Sequence, residues 1–418
     1  MASESTAKTG EPVRIFFICQ RVPFPPDRGD KIATFNEIRH VARAHEVHVF
    51  CLGDGAHDLD NIPGVRDHAA SVTAVRLGRP ASRLRALGAL ITGGPLSVAA
   101  FDEPRLHRAI RQQFDALKPD LIIVYSGNVA RYAEPFAQVP RIMQFSDLDS
   151  LKWGQYAARA QTPMKWIYAT EQRRLLDYER HIARSFSHAL VCTAAEQRDF
   201  ERLIPGVPVS IVGNGVDLDY FRSAGRAKHP GSMVFTGVMD YLPNVDAVCW
   251  LCDEILPSVQ AEIPAASLTI CGSRPSAAVR RLAKRPGVRV TGRVADTRPY
   301  LDEAELFAAP LRLARGIQNK LLEAMAMGLA CVTSTIAWNA TAIPGGEGIL
   351  ATDDPKEFVA HIVRLLRDGE YRALMARRAR GAVEANYRWD MQMARLDRVI
   401  AAVTGSPTPA GSPLPAEA

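Results

Sequence analysis

Short apolar runs recur along the chain, and between them lie longer stretches whose apolar positions repeat at helical spacing. Residues 13–20, 47–52, 72–77, 121–125, 141–145 and 188–192 form a first series of such runs. Residues 233–237, 268–272, 288–292, 306–309, 330–333 and 348–351 form a second. These runs are apolar on successive residues, which suits strands of a parallel sheet covered on both faces. Alternation of such strands with helices predicts an α/β fold with doubly wound parallel sheets, one for each series. Residues 223–231 are polar and contain glycine, so they read as a linker. The expected domains are therefore 13–222 and 232–386, with a last helix at 387–403 returning to the first. Residues 1–12 and 404–418 are polar or rich in Pro, Ala and Ser, and are expected to be disordered.

The densest chemistry lies in residues 310–333. An apolar strand ends at Pro310, Gly316 opens a loop, residues 317–327 are good helix formers, and Gly328 closes the helix before the next strand. A helix entered through glycine at a strand's carboxyl end presents free N–H groups and a positive dipole end to an anion. Gly316, Ile317 and Gln318 supply those amides. Asn319, Lys320 and Glu323 fall within one turn, so a cation, an amide and a carboxylate share a face near the anion. Phosphate is the natural partner of Lys320, and sugar hydroxyls suit Glu323. The alternative is a solvated Lys–Glu pair on an ordinary surface helix.

In the first half, the loop after residue 20 carries three prolines and then Gly29 and Asp30 just before a helix, where glycine lets a ligand approach the backbone. Asp147 and Asp149 follow the fifth run, at the edge where ligands of open parallel sheets collect. Their spacing admits a divalent metal, an acceptor hydroxyl oriented by Asp147, or plain loop capping. Residues 79–95 set Arg79, Arg83 and Arg85 beside Leu84, Leu87, Leu90 and Ile91. That pattern suits a helix resting on anionic lipid, or one packed on its own sheet.

Composition narrows the field. The chain has 418 residues, 47% hydrophobic and 23% charged, with a formal charge of +6. That length fits two domains, and the modest positive charge favours acidic ligands. No apolar run approaches the roughly 18 residues of a membrane span, so the expected location is cytoplasmic, with a peripheral membrane contact. Neither a Gly-x-Gly-x-x-Gly nor a Gly-x-x-x-x-Gly-Lys loop follows any strand, against dinucleotide oxidoreductases and P-loop hydrolases of the usual kind. Nothing resembles a nucleic-acid module. Seven cysteines without a framework of spacings fit reduced thiols, and Cys249 and Cys252, despite their redox spacing, read as buried hydrophobes.

The run Arg315-Gly-Ile-Gln-Asn-Lys-Leu-Leu-Glu323 resembles the signature of retaining glycosyltransferases of family 4, which have the GT-B fold. In particular it resembles the sugar transferase subgroup associated with exosortase and PEP-CTERM exopolysaccharide systems. The resemblance implies two Rossmann-like domains facing a central cleft. Glu323 matches the family's second glutamate, which holds the nucleotide ribose. Arg315 stands where the first glutamate usually contacts the sugar. Asn214-Gly-Val-Asp217 resembles the element at the crossing between domains, with a structural role. After Gly237 the family usually carries Arg and Lys for the diphosphate, and this chain has Met239 and Asp240. The charge then falls to Lys320 and Arg315, with Arg274 as a further phosphate-side candidate. The loop Gly292-Arg293-Val294 resembles the one that reads the nucleobase edge. The implied activity is metal-independent transfer of a hexosyl unit from a nucleotide diphosphate sugar to a lipid-linked carbohydrate acceptor, with no further cofactor. A nucleotide-sugar epimerase of the same fold and a non-catalytic assembly subunit are the alternatives.

Overall fold

In the computed structural model of the chain, residues 12–405 are described. The ends expected to be disordered lie outside the described residues, apart from Pro12, Thr404 and Gly405. The chain divides into two compact units, one of residues up to Gly213 together with those from Asp390 onward, the other Asn214–Trp389.

The first unit holds a seven-stranded sheet of β1 (Arg14–Cys19), β2 (Glu46–Gly53), β3 (Ser71–Arg76), β4 (Leu121–Tyr125), β5 (Arg141–Ser146), β6 (His188–Val191) and β7 (Val209–Ile211). Its order is β3-β2-β1-β4-β5-β6-β7. All pairings are parallel, and Ile15 of β1 stands beside Val47 of β2 and Leu121 of β4. The successive apolar residues anticipated from the sequence are what such a sheet requires. β4 is buried along its whole length, and Phe16 packs on Phe50 with ring centroids 4.8 Å apart.

The second unit holds a six-stranded parallel sheet of β8 (Ser232–Thr236), β9 (Ser267–Cys271), β10 (Val288–Gly292), β11 (Leu306–Ala309), β12 (Ala330–Thr333) and β13 (Ile349–Ala351). The order β10-β9-β8-β11-β12-β13 reverses direction between β8 and β11. Phe235 and Phe307 lie on these neighbouring strands, nearly parallel, with centroids 6.2 Å apart. Such a reversal opens a crevice at the strands' carboxyl ends, where open α/β sheets take their ligands. In the first unit the same reversal falls between β1 and β4.

The crossing falls earlier than the expected linker. Asn214 to Phe221 belong with the second unit, because Val216 donates its N–H to Tyr387 O at 2.8 Å and Arg380 donates to the carbonyls of Phe221 and Leu218. The last helix, Trp389–Thr404, is held in the first unit by Gln392, whose Oε1 accepts from Gly213 N at 3.1 Å. His40 and Asp397 add an ion pair at 2.9 Å. Among the described residues no helix is long and apolar enough to cross a membrane.

Candidate functional site

β11 ends at Ala309, and the chain runs through a loop to Gly316, whose φ of 59° is left-handed backbone that favours glycine. The helix Asn319–Ala326 then begins, with Gln318 extended at its N-cap. Gln318 folds back to donate from Nε2 to Arg315 O at 3.1 Å and Gly316 O at 3.3 Å, which fixes the loop's shape. The strand, glycine loop and helix legible in the sequence are therefore present, and Arg315, Gly316, Ile317, Gln318, Asn319, Lys320 and Glu323 come together beyond β11.

Lys320 is partly buried, and its ammonium stands 5.5 Å over the ring of Phe235. It donates to Asn244 Oδ1 at 2.8 Å and to Gln318 Oε1 at 3.3 Å. Burial lowers its pKa to about 8, against the opposing pull of Glu323. Burial likewise raises the Glu323 carboxyl to about 7, with Lys320 acting the other way. Among the described residues, no hydrogen bond or ion pair involves the Glu323 carboxylate. Asn319 Nδ2 and Thr236 Oγ1, the latter at the end of β8, are buried without a protein partner. A lysine held by neutral oxygens and a carboxylate without a cation are suited to a ligand with phosphate at one end and hydroxyls at the other.

Two asparagines complete this cradle, and the sequence reading gave neither a role in binding. Asn244 lies in the helix Leu242–Trp250, is almost fully buried, and donates from Nδ2 to Val238 O at 2.9 Å while its oxygen holds Lys320. Its tight fit shows at Gly237, where an added Cβ would lie 2.7 Å from Asn244 Nδ2 and 3.4 Å from Lys320 Cε. Asn214 donates to Asn319 Oδ1 at 2.8 Å, so the turn expected to be structural also orients a residue of the site. Only the Pro-Asn pair at a helix start hinted at Asn244. What it reaches depends on β8 and β11 being neighbours.

The remaining candidates of this unit are placed differently. Arg274 is exposed and pairs with Asp240 at 3.1 Å, so the acidic residue found where the family has cations is itself neutralised. Arg293 is exposed beside Gly292, which has a φ of 70°, and Val294 is half-buried. Cys252 is buried with its thiol pushed up to about 12, and Cys249 is raised as well, which favours thiols over reactive thiolates.

In the first unit, Gly29 and Asp30 open the helix Gly29–Val41 beyond β1. Asp30 accepts from Arg21 at 2.6 Å and lies 3.7 Å from Arg28. Burial raises its pKa, but the two arginines outweigh it and the net shift is downward. Asp147 follows β5 directly, after Ser146, whose φ of 62° is unusual for a side chain other than glycine. Asp149 starts the helix Asp149–Arg159 and is engaged by Lys152 and by Asn128 Nδ2 at 3.3 Å. Asp149 is thus occupied by a cation and an amide, an arrangement closer to capping than to half of a metal pair.

Two doubly wound parallel-sheet units in one chain are the architecture of the GT-B fold. Residues 34–215 match the family model described as Glycosyl transferase 4-like domain, and residues 230–368 match Glycosyl transferases group 1. The chain belongs to the glycosyltransferases of the GT-B fold.

Solved structures share the architecture. Sucrose-phosphate synthase from Thermosynechococcus elongatus is 16% identical with a TM-score of 0.72, covering 94% of this chain and 99% of that one. HepE from Anabaena, solved in complex with UDP, is 14% identical with a TM-score of 0.65 over 93% and 100% of the two chains. WaaG, a glycosyltransferase involved in lipopolysaccharide biosynthesis, is 14% identical with a TM-score of 0.64 over 94% and 100%. At these identities the likeness is one of fold. No curated protein matches the chain.

Proposed function

We propose that the protein is a retaining, metal-independent glycosyltransferase of family 4 type, which moves a hexosyl unit from a nucleotide diphosphate sugar to a lipid-linked carbohydrate acceptor. The observation that carries this reading is the partly buried Lys320 and Glu323 on the helix after Gly316, at the carboxyl end of β11. HepE has been solved with UDP-glucose, which fits a donor of this class. Departure of a nucleoside diphosphate builds negative charge on the bridging oxygen and the β-phosphate. Fixed cations and helix N–H groups that meet this charge lower the barrier. Lys320 is the principal cation, with Arg315 taking charge that Met239 and Asp240 do not supply. Glu323 accepts from the ribose hydroxyls, and Asp147 orients the acceptor hydroxyl. The process served is exopolysaccharide synthesis of the exosortase-associated kind, in the cytoplasm, with residues 79–95 resting on anionic membrane.

Thermal stability against a panel of nucleoside diphosphates and nucleotide sugars tests the donor site. A rise in midpoint with one base, together with release of its diphosphate when acceptor is present, is the expected result. A free, altered nucleotide sugar formed without acceptor would instead make the protein an epimerase, and no turnover of any nucleotide sugar would make it a non-catalytic subunit.

A further inference from the structure

Eleven large apolar side chains are exposed among the described residues, and the seven in the first unit lie on only two segments. Leu84, Leu87, Leu90 and Ile91 are on the helix Arg79–Thr92, with Ile91 91% exposed. Residues 84, 87 and 91 follow helical spacing and form one outward stripe, while Ala89 faces inward. Met164, Trp166 and Ile167 stand on the first turn of the helix Met164–Ser185, with Trp166 72% exposed. This apolar first turn precedes the charged stretch of the same helix, which begins at Glu171.

The two segments are fastened to each other. From the 164–185 helix, Glu171 accepts from Leu96 N at 2.7 Å and Ser97 N at 2.9 Å. Arg174 donates to Ala89 O at 3.1 Å and Gly94 O at 3.3 Å. Met164, Ile167, Glu171 and Arg174 fall on one face of their helix, three or four residues apart. The face that clasps the end of the first helix therefore continues into the exposed Met164 and Ile167, about 10 Å away along the axis. Tyr168 packs against Trp153 at 5.4 Å and Tyr156 at 6.0 Å, which ties this tip to the helix Asp149–Arg159.

Charge indicates what covers the patch. Arg79, Arg83 and Lys165 are exposed beside these side chains, while Arg85 is paired with Glu103 at 3.4 Å, Lys152 is paired with Asp149, and Glu171 is buried. Apolar side chains and a tryptophan beside the exposed cations Arg79, Arg83 and Lys165 match the boundary between acyl chains and anionic headgroups. We propose that the 79–92 helix and the tip at 164–167 form one surface that inserts into an anionic lipid bilayer. This deepens the membrane reading above, which called only on residues 79–95, and it is independent of the donor site.

The test is sedimentation of the full chain with vesicles of phosphatidylglycerol in phosphatidylcholine, compared with phosphatidylcholine alone. Binding is expected at low salt and should weaken as salt rises. Trp166→Ser with Ile167→Ser, and separately Leu87→Ser with Ile91→Ser, should each lower the partition coefficient by about tenfold or more. Because these side chains are exposed, the thermal midpoint should hold. Brominated lipid should quench part of the tryptophan emission in the wild type, and that part should vanish in Trp166→Phe. If the Leu87/Ile91 pair loses binding and the Trp166/Ile167 pair does not, the two-helix surface is wrong while the narrower membrane reading stands. If the wild type never sediments with anionic vesicles, both fall. Self-association relieved by either pair, without vesicle binding, would assign the patch to a second copy of the chain and overturn the proposal.

Discussion

At the carboxyl edge of the first sheet Asp30 is paired with Arg21 and Arg28 and Asp149 with Lys152, whereas at the edge of the second sheet, where Asp240 is paired with Arg274, Glu323 has no cation within ion-pair distance. Lys320 is the mirror case: a cation held by the oxygens of Asn244 and Gln318 in place of a carboxylate. Ion pairs at the first edge stabilise the loops that carry them. At the second edge, burial moves Lys320 and Glu323 toward neutrality from opposite sides, so a ligand with the complementary charge gains what the fold leaves uncompensated. Similar positions on the two sheets thus differ in charge balance, paired at Asp30 and Asp149 and uncompensated at Lys320 and Glu323.

The comparison is broken most sharply at Lys320. Lys320→Met keeps the stem over Phe235 and removes the charge, so transfer should fall by about 10²–10³-fold with the fold intact. Retention of more than about a tenth of the rate in a steady-state assay would take the leaving-group role away from this residue. Glu323→Gln should weaken nucleoside diphosphate binding by about 1.5–3 kcal/mol, read by calorimetry. Unchanged affinity in a folded variant would return Glu323 to an ordinary helix surface.

A pH series sharpens the same contrast. Lys320 must be protonated to meet phosphate, so affinity should decline as pH rises through about 8. Glu323 must be ionised to accept from two hydroxyls, so affinity should also decline as pH falls through about 7. Asn244→Leu removes the oxygen that holds the ammonium and keeps much of the volume. It should move the alkaline limb to lower pH by about one unit and leave the acid limb in place. A purely structural Asn244 would lower stability without moving either limb. The smallest effect is expected at the first edge: Asp30→Asn should cost no more than about 1 kcal/mol of stability, because its ion pairs are partly exposed, and should leave nucleotide affinity unaltered.

Six strands of the first sheet, all six of the second, the glycine loop and the helix bearing Lys320 and Glu323 were legible in the sequence, because each depends on local spacing, while the three-residue β7 was not. What escaped it depends on neighbours brought in by the sheet. Asn244 precedes Lys320 by 76 residues and meets it only because β8 and β11 pair. The Arg274–Asp240 pair spans the loops after β8 and β9, so two residues read separately as a missing cation and a candidate cation neutralise each other. The first turn of the 164–185 helix exposes Met164, Trp166 and Ile167 with only Lys165 among them, so it lacks the mostly polar outer face by which a surface helix is read from sequence.

Where β8 and β9 end, a Cβ added at Gly272 would lie 1.6 Å from Gly237 O, closer than any contact atoms tolerate. In a saturation library of the second unit, position 272 should therefore reject even alanine, in a screen for soluble protein as well as in one for turnover. Lys320 should be lost only from the second. The pair of screens thus separates a residue that fixes the spacing of two strands from one proposed to meet the substrate.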